Sequence, residues 1–111
     1  MQKLLTDFNL PRWKNYHIPT IRAVLERISR QEVVGEVGHV SNDQPENPSH
    51  RITNIHIVDN QVFGDVEFFD SSQGKLASEM ISSGGRFSIR ATHQEIKGVN
   101  YIRNILAWDV F

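Results

Sequence analysis

The chain contains no cysteine, and that absence excludes disulfide frameworks, thiolate metal sites and cysteine nucleophiles outright. It also lacks an excess of charge of either sign. With 12 Lys+Arg against 13 Asp+Glu, there is no general electrostatic drive toward nucleic acid or an anionic membrane surface. Apolar runs extend only a few residues, too short to span a bilayer, and the polar N-terminus does not resemble a secretory signal. A soluble protein of the cytoplasmic type is therefore the expectation. Internal repeats and low-complexity tracts are absent too. What remains, 111 residues of which 39% are hydrophobic and 23% charged, reads as one globular domain with a single modest core.

Periodicity and turn chemistry divide that domain into short elements. Residues 1–15 read as an irregular N-terminal arm in which Pro11 interrupts any helix, with residues 16–111 as the core. From Pro19-Thr20 onward, Ile21, Val24, Leu25 and Ile28 repeat with helical spacing while Arg22, Glu26, Arg27 and Arg30 take the other side. Glu32 to Val40 reads as a strand made irregular by Gly35 and Gly38, and it delivers His39 at its end. Ser41 to Ser49, polar and carrying two prolines, is a loop. His50–Val58 and Val62–Phe69 are strands joined by a hairpin at Asp59-Asn60. Ser71-Ser72 can cap a second helix, from about Gln73 to Ser83, whose apolar face is Leu76, Ala77, Met80 and Ile81. A strand from Gly84-Gly85, a turn at Lys97-Gly98 and a last strand from Tyr101 to Phe111 complete an α+β domain: two helices on a curved antiparallel sheet or small barrel.

Within the penultimate strand, Phe87, Ile89 and Ala91 alternate with Arg86, Ser88 and Arg90. Ser88 therefore leaves the core face, between two arginines and behind a glycine pair that can turn the chain into the strand. His17, His56 and His93 lie on no motif and, scattered as they are, make no case for a metal site; nothing in the sequence calls for a cofactor.

In order along the chain stand Gly35-Glu36-Val37-Gly38-His39, Ser49-His50-Arg51-Ile52, Val62-Phe63-Gly64-Asp65-Val66, Phe69-Asp70-Ser71-Ser72-Gln73-Gly74-Lys75, Gly84 to Arg90, and Trp108-Asp109-Val110. This succession resembles the prohead core serine proteases of myovirus-type tailed phages, from about residue 15 to residue 111. That family has a Gly-Glu-Leu-x-His-Pro segment, a Ser-His-x-Ile strand, a Gly…Ser-Ser-Arg-Gly strand and an Asp-Val-Val close.

The resemblance implies a herpesvirus-assemblin-like fold and a serine endopeptidase that cleaves scaffold and capsid proteins in the host cytoplasm, within the immature phage head. By position, His39 matches the general base and Ser88 the nucleophile, a chemically sensible pairing because a serine hydroxyl is a poor nucleophile until a nearby imidazole accepts its proton. Arg90, with Arg86, matches the oxyanion- and substrate-binding positions. His50 matches a second histidine that would orient His39, with Asp70, Asp65 and Asp109 as acidic rivals. Assemblin-type enzymes are activated by dimerisation, so a homodimer is the implied assembly.

Three departures keep a second reading open. Valine follows His39 where the family has proline, Ile89-Arg90-Ala91 follows Ser88 where it has Ser-Arg-Gly, and the chain closes at Phe111 where family enzymes continue. On that reading the chain is a short or degenerate member, catalytically inactive, serving as a capsid or scaffold component or a protein-binding module. A nucleic-acid-binding barrel built on Arg86 and Arg90 is disfavoured by the balanced charge.

Overall fold

The computed structural model describes residues 2–38 and 46–111. Among them the elements run β1 (Gln2–Asp7), a 3-10 turn (Pro11–Trp13), α1 (Ile18–Ile28), β2 (Val33–Glu36), β3 (Pro48–Val58), β4 (Gln61–Phe68), α2 (Ser72–Ser82), β5 (Phe87–Ile96) and β6 (Val99–Val110). The domain is thus α+β, with two helices and six strands whose named pairings are all antiparallel. The strands do not close into a barrel. They form two sheets, ordered β1-β4-β3-β2 and β5-β6, which meet where Val37 makes a parallel bridge to Val110.

Local chemistry accounts for most of these elements. The His17 ring caps α1, its Nδ1 accepting the Thr20 N–H at 3.3 Å, and Pro19 occupies the first turn, where a missing donor does no harm. Ile21, Val24 and Leu25 are the buried stripe of that helix. Asp59 and Asn60 both take left-handed φ, 51° and 62°, the requirement of a two-residue hairpin turn of the primed kind, and Lys97 and Gly98 repeat it at 51° and 81° between β5 and β6. Ser71 caps α2 by accepting the Gly74 N–H at 3.1 Å.

Two expectations need correction. Residues 2–7 are not an irregular arm but the edge strand β1, paired to β4. A bulge between Leu4 and Thr6 turns both Leu5 and Thr6 inward, which erases the period-2 signature of a strand. In α2 the expected apolar face holds at Ala77, which is buried, and at Met80 and Ile81, which pack against the core, but Leu76 is 41% exposed and Gly74, packed directly on the Phe69 backbone, is buried in its stead.

The core lies between α1 and the two sheets, with Trp108 at its centre, fully buried. Its Nε1 donates to Thr6 Oγ1 at 2.8 Å, so the indole ties β6 to β1 across the gap between the sheets. No helix among the described residues is long and apolar enough to cross a membrane.

Candidate active site

Ser88 and Asp109 are cross-strand partners in the β5–β6 ladder. Directly paired residues project to the same face with Cβ atoms roughly 5 Å apart. Ser88 is half-buried in a depression of about 190 Å³ that it shares with Arg12, Trp13, Tyr16 and Ile89. Its hydroxyl makes no hydrogen bond among the described residues.

Asp109 beside it has no solvent exposure. Arg90, two residues beyond Ser88, holds that carboxylate as a fork, with Nε 3.0 Å from Oδ2 and Nη2 3.2 Å from Oδ1. The Glu36 N–H donates to Oδ1 as well, at 3.2 Å. This guanidinium is therefore committed to Asp109. The polar face of β5 is consequently not a solvent face, since the Arg90 side chain is only 10% exposed. A buried carboxylate persists only when a cation and donors compensate its lost hydration, and these groups supply both.

Glu36 extends the network. It is 2% exposed, and its Oε2 accepts the N–H groups of Glu46 and Asn47 at 3.0 and 2.9 Å. Its Oε1 is buried without a hydrogen-bond partner among the described residues. The adjoining chain is fixed to β6: Val37 bridges Val110, and the Gly38 N–H donates to the Val110 carbonyl at 2.9 Å. His39, the next residue in sequence, and most of the expected loop at 41–49 lie outside the described residues.

His50 stands elsewhere, deep in the core, with its ring 5.7 Å from that of Phe87. Its Nε2 lies 2.7 Å from the Trp108 carbonyl and its Nδ1 2.7 Å from Ser49 Oγ. A carbonyl can only accept, so Nε2 carries the proton and Nδ1 accepts from the serine hydroxyl. Burial pushes the ring's pKa below the ordinary histidine value, against the opposing pull of the Trp108 carbonyl and the Asp109 charge. Both nitrogens are occupied inside the core, and orienting His39 would require one of these bonds to break.

The remaining candidates are separated from Ser88. Arg86 is exposed, and its backbone exchanges both hydrogen bonds with Phe111, at 3.0 and 2.9 Å. Asp65 accepts from Asn54 Nδ2 at 2.7 Å, and Asp70 is an exposed carboxylate 3.8 Å from Lys75. Of the three acidic rivals, only Asp109 adjoins the serine. Comparison with protein-family models, curated proteins and solved structures returns no match.

Sequence reasoning missed Glu36 as part of this cluster. A signal was present: Glu36 and Asp109 each interrupt a valine-flanked apolar stretch near a strand end, where a solvated acid has no reason to sit.

Proposed function

We propose that this chain is a serine endopeptidase of the prohead-maturation kind, with Ser88 as nucleophile and His39 as general base, acting on phage scaffold and capsid proteins in the immature head. The observation that carries the reading is an unengaged Ser88 hydroxyl directly across the ladder from the buried, Arg90-clamped Asp109. Gly38, immediately before His39, is held on the other side of β6, two strand spacings or roughly 10 Å from the β5 chain. Ser88 and Gly38 thus flank β6 on opposite sides, and the reading requires the His39 imidazole to reach across it. The fold is then an assemblin-type barrel left open along β1 and β5, and the implied assembly is a homodimer.

In this reading Ser88 Oγ attacks the scissile carbonyl carbon while its proton passes to His39. The C–N bond then breaks as that proton goes to the leaving amine, and water hydrolyses the acyl-enzyme. Asp109 and Arg90 shape the β5–β6 end from which Ser88 projects. The oxyanion donor we assign is the Ile89 N–H rather than Arg90. Arg86 exchanges both bonds with Phe111, so ladder alternation places the Arg90 amide in the bonded set and leaves the Ile89 amide on the open edge of β5.

A specific observation favours a second reading, the non-enzymatic relative. His50, the histidine expected to orient His39, is instead held in the core by the Trp108 carbonyl and the Ser49 hydroxyl. The test is endopeptidase activity on an unfolded protein substrate, followed by fragment mass, for wild type, Ser88→Ala and His39→Ala. Discrete fragments from wild type alone support the protease. Identical, intact substrate in all three reactions with folded protein overturns it in favour of the binding module.

A further inference from the structure

β2 covers only the first half of β3. Its pairing ends at Val33↔Ile52 whereas β3 runs on to Val58, so among the described residues no strand pairs with that side of β3 over its last turns of the pleat. At this open end, between β3 and α1, lies a cavity of about 450 Å³. Leu25, Ile55 and Ile57 give it an apolar floor. Its volume falls inside the range of ligand sites, about 300–1,000 Å³.

The backbone adds a second feature. Val58 and Gln61 are partners across the Asp59-Asn60 turn, the bonded pair in a turn of this kind, so ladder alternation aims the N–H and C=O of Ile57 away from β4 and toward the open side. Just before it, a bulge between Thr53 and His56 bends the strand, with Asn54 at a φ of 53°. His56 Nδ1 donates to the Asn54 carbonyl at 2.8 Å and pins that bulge, so the open edge is pre-formed. Charge is the third feature. Glu26 and Asp59 stand at the rim, and among the described residues neither forms an ion pair. The cation there, Arg22, is held by the hairpin turn, its Nη2 donating to Asn60 Oδ1 at 3.0 Å.

We propose that this open end of β3 docks an extended peptide in which apolar residues alternate with Lys or Arg, adding as a short strand in line with β2. The open length, Ile55 to Val58, is about 13 Å. Strand addition derives affinity from main-chain bonds and selectivity from alternate side chains, so one set of side chains covers Leu25, Ile55 and Ile57 while the cations of the other meet Glu26 and Asp59. The inference does not rest on hydrolysis at Ser88. It holds for a protease, where this is a docking surface of its own, and equally for an inactive binding module.

The experiment is fluorescence anisotropy at low ionic strength with a short fluorescein-labelled peptide alternating Lys and Val, beside its Glu/Val counterpart and two N-methylated versions that block opposite sets of amides. The Lys/Val peptide binds and the Glu/Val peptide does not. One N-methylated register fails and the other binds, because pairing to a single strand uses every second amide. Glu26→Lys, an exposed change on α1, weakens binding about tenfold, whereas the same change of charge on α2, Glu79→Lys, leaves it unaltered. Equal binding of both charge types, equal behaviour of the two registers, equal losses in the two variants, or no binding by the folded protein overturns the proposal. So does full displacement of the peptide by butylamine, which marks a small-molecule pocket, or self-association that Glu26→Lys abolishes, which makes a second copy the occupant.

Discussion

Replacing Arg90 by methionine tests the buried network most directly. The substitution keeps an unbranched apolar stem and removes the guanidinium, so Asp109 loses donors at 3.0 and 3.2 Å and keeps the Glu36 N–H. With Asp109 fully buried, water cannot replace what is lost, and breaking such a pair from one side costs about 3–5 kcal/mol. For a chain of 111 residues, an unfolding entropy of about 0.23 kcal/mol/K converts a loss of about 4 kcal/mol into a Tm lower by about 17 °C. The double variant Arg90→Met/Asp109→Leu removes both charges together and recovers most of that loss, so the coupling energy is at least about 2 kcal/mol, larger by whatever Asp109→Leu alone costs. Urea titrations followed by the fluorescence of the buried Trp108 measure all four corners of the cycle. Because the pair is shielded from solvent, the coupling persists at high salt. A single-variant loss below about 1 kcal/mol, or a coupling that salt abolishes, refutes the reasoning, for that is how an exposed ion pair behaves.

Three further outcomes follow from named contacts. His50 is held neutral by burial, whereas in the unfolded chain it takes up a proton near pH 6.5. Its contribution to stability is therefore complete above about pH 6.5 and declines below it by up to about 1.4 kcal/mol per pH unit, and His50→Gln flattens the urea midpoint between about pH 7 and about pH 5; parallel profiles contradict this. At Gly35 an added methyl meets the Trp108 carbonyl and lies 2.6 Å from His50 Nε2, on the hydrogen bond that joins them, so Gly35→Ala destabilises by about 3 kcal/mol in the same titration. Lys97 takes a left-handed φ of 51° in an exposed turn, and Lys97→Asn raises stability by about 0.5–1 kcal/mol, measured as Tm.

Elements governed by local chemistry were legible in the sequence. Ile21, Val24 and Leu25 announce α1, and Asp59-Asn60 and Lys97-Gly98 announce the hairpins, because a few neighbouring residues decide each. β1 was not legible, since its bulge at Leu4/Thr6 depends on pairing with a strand some sixty positions away by register, as in Lys3↔Gly64. The same limit applies to the site. Alternation placed Ser88 and Arg90 on one face, but that the face is covered, and that Arg90 is held by Asp109, depends on the β5–β6 register. His50 looks like a strand-start residue until the Trp108 carbonyl, 58 positions later, accepts a hydrogen bond from its Nε2–H.

The assignment of Ser88 as an activated nucleophile is tested most directly by intact mass after treatment with a fluorophosphonate, on wild type, Ser88→Ala and His39→Ala, across concentrations that allow dimers. A single adduct on wild type that maps to Ser88 and is absent from both variants is the predicted result. An unmodified wild-type protein, folded and dimeric, or an adduct that survives in Ser88→Ala, contradicts the assignment.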